Sequence, residues 1–161
     1  MEYSIKEVAK IIGAKGNELH DDAITILLTD SRTVSFPEQS LFFALKTKTN
    51  DGHKYIPELY KLRVRNFVVS EMAPEFANLT DANFLLVKDP LRALQQLAIH
   101  HRKKFDIPVI GITGSNGKTI VKEFLYQLLH TEFNIVRSPR SFNSQLGVPL
   151  SVWQINPKHT L

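Results

Sequence analysis

The residue pattern predicts an α/β fold in two units, and three observations carry that prediction. Short apolar runs of strand length alternate with amphipathic helical stretches along the 161 residues. Each run is bounded by turn-forming or polar sequence. A cluster of glycines, "GITGSNGKT" (111–119), stands between one such run and a helical stretch. Composition agrees: with 43% hydrophobic and 22% charged residues the chain is ordinary globular material, not a disordered segment.

The elements follow in order. Residues 4–12 read as a short amphipathic helix, with Ser4 and Glu7 at capping-box spacing and Gly13 as its stop. "AITILLTDSR" and "SLFFAL" are rich in strand formers. "HKYIPELYKL" reads as a helix, with Pro57 near enough to its start to be tolerated. "RNFVVSE" and "NFLLVKD" have the length of buried strands. Asp89 and Pro90 then open a helix whose face is marked by Leu91, Leu94, Leu97 and Ala98 to about Phe105. After the junction "FDIP", "VIGIT" is expected as a strand and 119–131 as a helix. Ile120, Val121, Phe124, Leu125, Leu128 and Leu129 would form that helix's buried stripe. "FNIVRS" is expected as the next strand. The two units would be residues 1–105 and 106–161. The latter is too small for such a sheet to stand alone, and reads as a piece of something longer.

Several functions are excluded or disfavoured. No apolar run approaches the ~20 residues of a membrane span, and the N-terminus lacks signal-peptide character. The absence of cysteine excludes disulfides and thiolate chemistry and fits a reducing cytoplasm. A net charge of +4 suits a polyanionic ligand, but the positive charges are too scattered for nucleic acid. "HHRKKF" reads as a solvated helix end, with His100 and His101 too close in sequence to share a metal. His53 in "DGH" reads as a turn residue.

The glycine cluster has the context a phosphate loop needs. A strand leads in, a helix leads out, and glycines let backbone N–H groups approach phosphate oxygens. The helix N-terminus adds unpaired donors. Lys118 would reach the β- and γ-phosphates, and the Thr119 hydroxyl would ligate Mg²⁺. The loop fails the strict P-loop pattern, because Ile112 stands where that pattern requires glycine. The glycines run GxxGxxG, which disfavours a dinucleotide fold. A plain glycine turn with an incidental lysine is the alternative.

"GITGSNGKT" is similar to the ATP loop of the Mur ligases, G-x-T-G-[TS]-[NS]-G-K-[TS]. The related folylpolyglutamate synthases usually have glycine after the lysine, where this chain has Thr119. "DSRTVSFPEQSLFFAL" resembles the D-S-R-x-V-x-P-G-x-L-F-x-A-L segment of the family's N-terminal domain, departing at Gln39. "NDGHKYI" matches the run that follows it. "SFNSQLGVPLSV" resembles the N-x-N-N-x-x-G-V-P-L stretch of the branch that adds D-alanyl-D-alanine, as does "VKE" after the loop. Asn143 is retained there, whereas Ser141 and Ser144 replace asparagines.

The resemblance covers the chain in order and about the first third of the family's length. It implies an N-terminal domain that binds a UDP-sugar (1–105), followed by the start of a P-loop ATPase α/β domain (106–161). It also implies amide ligation in peptidoglycan synthesis, with ATP and Mg²⁺ activating a carboxylate of UDP-N-acetylmuramoyl-tripeptide for attack by D-alanyl-D-alanine. ATP would be cradled by Thr113, Gly114, Ser115, Asn116, Gly117, Lys118 and Thr119. Lys118 would be the catalytic cation and Thr119 the metal ligand. Ser31 and Arg32 would contact the UDP-sugar with Asp30 shaping their turn, and Asn143 would sit near sugar or phosphates. From the residues alone, the alternative for the Asp30–Arg32 stretch is a strand-end turn with a surface ion pair. Three stretches also resemble a Bacteroidetes form fused to a C-terminal alanine racemase. The expected species is a monomer, unable to ligate without the residues that the family carries further on. Three alternatives stay open: the Mur ligase that adds the third stem residue, another P-loop transferase, and a non-catalytic UDP-sugar module.

Overall fold

The computed structural model of the chain describes residues 1–16, 20–139 and 142–161. They divide into two units, Met1–Leu97 and Ala98–Leu161.

The first unit is built on a parallel sheet. Strands β1 (Tyr3–Ser4) and β2 (Ala23–Ile24) form a small antiparallel ribbon. Between them runs helix α1 (Ile5–Ile12), which begins and ends as its sequence predicts. The Ser4 hydroxyl accepts the Glu7 N–H at 3.2 Å, and the Glu7 carboxylate accepts the Ser4 N–H at 2.9 Å. Gly13 closes the helix at φ 63°, in the left-handed region that glycine enters without penalty. Strands β3 (Ile26–Leu28), β4 (Ser40–Phe43), β5 (Asn66–Val69) and β6 (Asn83–Leu86) then pair in sequence order, all parallel. The run 23–28 is split between the two sheets at Thr25, whose N–H donates to the Gln39 carbonyl at 3.0 Å.

Four aromatic rings hold one face of this sheet. Phe67 and Phe84 stack at 5.4 Å, Phe76 and Phe84 at 5.3 Å, and Phe42 meets Phe67 edge-on at 6.5 Å. Such pairs add roughly 0.5–1.5 kcal/mol each beyond the area they bury. Helix α2 (Ile56–Lys61), with Pro57 in its first turn, contributes Ile56 and Leu59 to the same cluster. Residues of the opposite parity, including Leu41, Phe43, Val68 and Leu85, are buried as well. A parallel sheet covered on both faces reads as continuous apolar runs, as these strands do.

Helix α3 (Pro90–Arg102) opens with Asp89 Oδ1 accepting the N–H groups of Leu91 at 2.9 Å and Arg92 at 3.2 Å. Its last turn belongs to the second unit. His101, expected to be solvated, is instead buried: Nε2 donates to the Ile155 carbonyl at 2.8 Å, and Phe105 and Trp153 flank the ring. Burial holds its pKa below the ordinary histidine value. Arg102 donates to the carbonyls of Phe105 and Ile107, pinning the junction that leads to the glycine loop.

Helices α4 (Lys118–Leu129) and α5 (Gly147–Val152) complete the second unit. Neither "VIGIT" nor "FNIVRS" is a strand. A strand needs a neighbouring strand to complete its ladder, and among the described residues neither run is paired with one. Val109 and Ile110 stay more than half exposed. Residues 134–136 are held by the tail instead, with the Thr160 N–H donating to the Asn134 carbonyl and Val136 N–H to that of Leu161. The expected buried stripe of α4 is also corrected. Ile120, Val121, Phe124 and Leu128 are exposed, because amphipathic spacing buries a face only where another layer covers it.

Candidate nucleotide loop and carboxyl-edge site

The glycine loop delivers the chain directly into α4. Gly117 is the N-cap at φ 78°, Gly114 has φ 144°, and the first helical bond runs from Val121 N–H to the Gly117 carbonyl at 2.9 Å. A side chain at either glycine would be strained, so these positions need glycine for backbone shape. Thr113 through Gly117 and Thr119 are exposed at the positive end of a 12-residue helix, where the opening N–H groups have no intrahelical partner. Lys118 folds back over the loop, its ammonium donating to the Gly114 and Ser115 carbonyls. That ammonium, the exposed Thr119 hydroxyl and the free amides are donor groups suited to a polyphosphate and its metal.

A cavity of about 330 Å³ lies beside the loop, within the second unit. Lys118, Thr119 and Asn143 all line it, so the structure brings together three residues that the sequence singled out. Lys122, Arg137 and Ser138 add polar groups that the sequence reading missed, and Ile112, Leu125 and Leu129 are among its apolar walls. Lys122 lies one turn beyond Lys118, and its ammonium donates to the Ser138 carbonyl at 2.7 Å. The signal for it was helical spacing from Lys118. Ser144, where the resemblance expects asparagine, accepts the Gly147 N–H at 3.0 Å at the start of α5. Ser141 lies outside the described residues.

The other candidate residues lie in the first unit, at the carboxyl ends of the parallel strands, the edge where such sheets bind ligands. Just beyond β3, Asp30 caps a 3₁₀ turn (Ser31–Thr33) by accepting the Arg32 N–H at 3.0 Å. Its carboxylate grips the Arg32 guanidinium twice, at 2.9 and 2.6 Å. The Arg32 side-chain bonds, then its backbone N–H, hold the Asp30 pKa down at about 2. The turn therefore has the geometry of a strand-end ion pair. One edge of the Arg32 guanidinium remains available outward, because Nε and Nη2 are the atoms committed to Asp30. The Ser31 hydroxyl has no partner among the described residues.

At the ends of β4 and β5 the structure adds a cluster that sequence reading did not assemble. Lys46 pairs with Asp51 at 3.2 Å and Glu71 at 3.3 Å, and His53 lies against Asp51 at 2.6 Å. Burial alone would raise the Asp51 pKa, but the His53 backbone N–H, its ring and the Lys46 ammonium outweigh it, to about 2. The D-x-H spacing in a turn was the available signal.

No protein-family model matches the chain. Among curated proteins it is similar to the UDP-N-acetylmuramoyl-tripeptide–D-alanyl-D-alanine ligase of Synechocystis sp., 36% identical over 89% of this chain and 31% of that protein. Among solved structures it shares the fold of UDP-N-acetylmuramoylalanyl-D-glutamyl-2,6-diaminopimelate–D-alanyl-D-alanyl ligase from Acinetobacter baumannii. That match has a TM-score of 0.89 at 24% identity, over 99% of this chain and 35% of the other. The MurF ligase of Thermotoga maritima, solved in complex with ADP, matches with a TM-score of 0.67 at 29% identity, over 83% and 30%. The chain thus spans about a third of the length of the proteins it matches. In its loop, its sheet and these similarities, the chain belongs to the Mur ligase family.

Proposed function

We propose that this chain supplies the UDP-sugar-binding domain (1–105) and the opening of the ATP-binding domain (106–161) of an ATP-dependent amide ligase. The ligase would join D-alanyl-D-alanine to UDP-N-acetylmuramoyl-tripeptide in peptidoglycan synthesis. The observation that carries this reading is the glycine loop at the start of α4, with Lys118 and Thr119 beside the cavity that Asn143 also lines. The relatives' names and the ADP complex of the Thermotoga maritima ligase support the choice of substrates and nucleotide.

In this reading the γ-phosphoryl group of ATP passes to the terminal carboxylate of the tripeptide, releasing ADP and leaving an acyl phosphate. The amine of D-alanyl-D-alanine then attacks the acyl carbon, phosphate leaves, and the amide forms with loss of the amine's proton. Phosphoryl transfer is chiefly positioning and charge neutralisation. The exposed amides from Gly114 to Lys118 would orient the phosphates, and the Lys118 ammonium would exchange its loop carbonyls for phosphate oxygens. Mg²⁺, held at the Thr119 hydroxyl, would supply further neutralising charge. Ser31 and Arg32 would bind the UDP-sugar, with Asp30 holding the guanidinium in place. We extend the proposal to a cytoplasmic location and to an alanine racemase domain downstream, which reading the full frame checks directly.

Calorimetric titration of UDP-N-acetylmuramoyl-tripeptide into the folded chain tests the first half. Binding that weakens about tenfold or more in Arg32→Ala, a loss of roughly 1.4 kcal/mol, is the expected result. A folded chain that does not bind this ligand overturns the reading. Amide ligation is not expected from the 161 residues alone, and D-alanyl-D-alanine-dependent phosphate release from them contradicts that.

A further inference from the structure

Groups from three segments meet where β4 and β5 end. Lys46 follows β4, Ser70 and Glu71 follow β5, and Asp51 and His53 come from the turn between the strands. Gly52 lets that turn sit directly on β4. Its N–H donates to the Leu45 carbonyl at 2.8 Å, and a Cβ there would lie 2.8 Å from the Leu45 nitrogen. The His53 ring is buried, with Asp51 at Nδ1 and the Ser70 backbone N–H donating to Nε2 at 3.1 Å.

Those two bonds decide the tautomer. A backbone N–H can only donate, so Nε2 must be the unprotonated acceptor. Nδ1 then carries the proton and donates it to Asp51. Asp51, His53 and Glu71 converge closely enough to suggest a metal site. The chemistry argues otherwise: both ring nitrogens are committed, and the Lys46 ammonium already bridges the two carboxylates. The cluster is a lock with its own cation.

The lock holds the 3₁₀ turn Gly52–Tyr55. Tyr55 donates its hydroxyl to Asn50 Oδ1 at 3.1 Å. The turn follows β4, and the parallel neighbour of β4, β3, leads into the Asp30–Arg32 turn, so both turns stand at the carboxyl edge of adjacent strands. We propose that His53 is a positioning residue for the UDP-sugar site: in its Nδ1–H form it fixes the Gly52–Tyr55 turn at the sheet edge that also carries Arg32, without itself touching substrate. The inference rests on the functional reading above. A side chain locked by two hydrogen bonds on a sheet edge is the kind of support that holds contact residues to sub-ångström tolerance.

Two measurements test it. Long-range ¹⁵N–¹H correlation spectra of the histidine-labelled chain read the tautomer without any ligand; Nδ1–H is expected for His53, and Nε2–H overturns the proposal. Titration with UDP-N-acetylmuramoyl-tripeptide then compares variants whose folding is checked by thermal melts. His53→Leu fills the space without hydrogen bonds and is expected to weaken binding about tenfold. His53→Gln, which keeps an acceptor within reach of the Ser70 N–H, is expected to recover part of that loss, and it carries the comparison if the leucine variant does not fold. Wild-type affinity in either folded variant overturns the positioning role. A wild-type chain that binds no UDP-sugar overturns the functional reading instead.

Discussion

Asp30, just past β3, and Asp51, in the turn between β4 and β5, each hold a cation. Both have pKa values lowered to about 2 from an ordinary 3.8. A carboxylate whose pKa is depressed in the folded state stabilises that state above its unfolded pKa, and the contribution fades as pH falls through the folded value. Stability measured by urea unfolding should therefore fall between about pH 4 and pH 2, and Asp51→Asn should blunt that fall while costing stability at pH 7. Both carboxylates are more than a third exposed, so solvent screening keeps each effect modest. An acid profile in Asp51→Asn that superimposes on the wild type counts against the bonds assigned to this carboxylate. At this scale the sequence is readable where the chemistry is local. Ser4 with Glu7, Asp89 as a cap and the glycines of the loop all depend on neighbours a few residues away. His101 is misread from sequence because its partner, Ile155, is 54 residues distant and adjacent histidines give no sign of which one is buried. The Lys46–Asp51–His53–Ser70 lock escapes sequence reading for the same reason: its members meet only after β4 and β5 pair.

The elements show the same division. Helix α1 is readable at both ends because its caps are written in its own residues, and Ser4→Ala should cost about 1 kcal/mol in urea unfolding. A change below a few tenths of a kcal/mol would contradict the reciprocal cap. Strands β3 to β6 are legible as apolar runs because a doubly covered parallel sheet leaves them no polar face. "VIGIT" and "FNIVRS" are apolar runs of the same kind, yet neither forms a strand, since pairing is a property of two segments and not of one. The stripe of α4 likewise meets the helical period while Ile120, Phe124 and Leu128 stay in solvent. Periodicity states which residues share a face; it does not state whether anything covers that face.

For the whole molecule, the two candidate sites belong to separate units, Met1–Leu97 with the sheet edge and Ala98–Leu161 with the loop. The chain spans about a third of its relatives' length. The residues expected to contact phosphate are legible because a glycine loop works by backbone conformation, which sequence constrains closely. The branch of the family comes from resemblance in "SFNSQLGVPLSV", not from geometry. The central claim concerns what the loop does in the proposed full-length ligase, and one assay on that protein addresses it most directly. Phosphate release from MgATP is measured with UDP-N-acetylmuramoyl-tripeptide, with and without D-alanyl-D-alanine, in wild type and Lys118→Ala. The account predicts release that requires both acceptor and amine, and that falls at least about a hundredfold in Lys118→Ala, some 2.7 kcal/mol of lost transition-state stabilisation. Release that ignores D-alanyl-D-alanine, or that survives unchanged in Lys118→Ala, would contradict it.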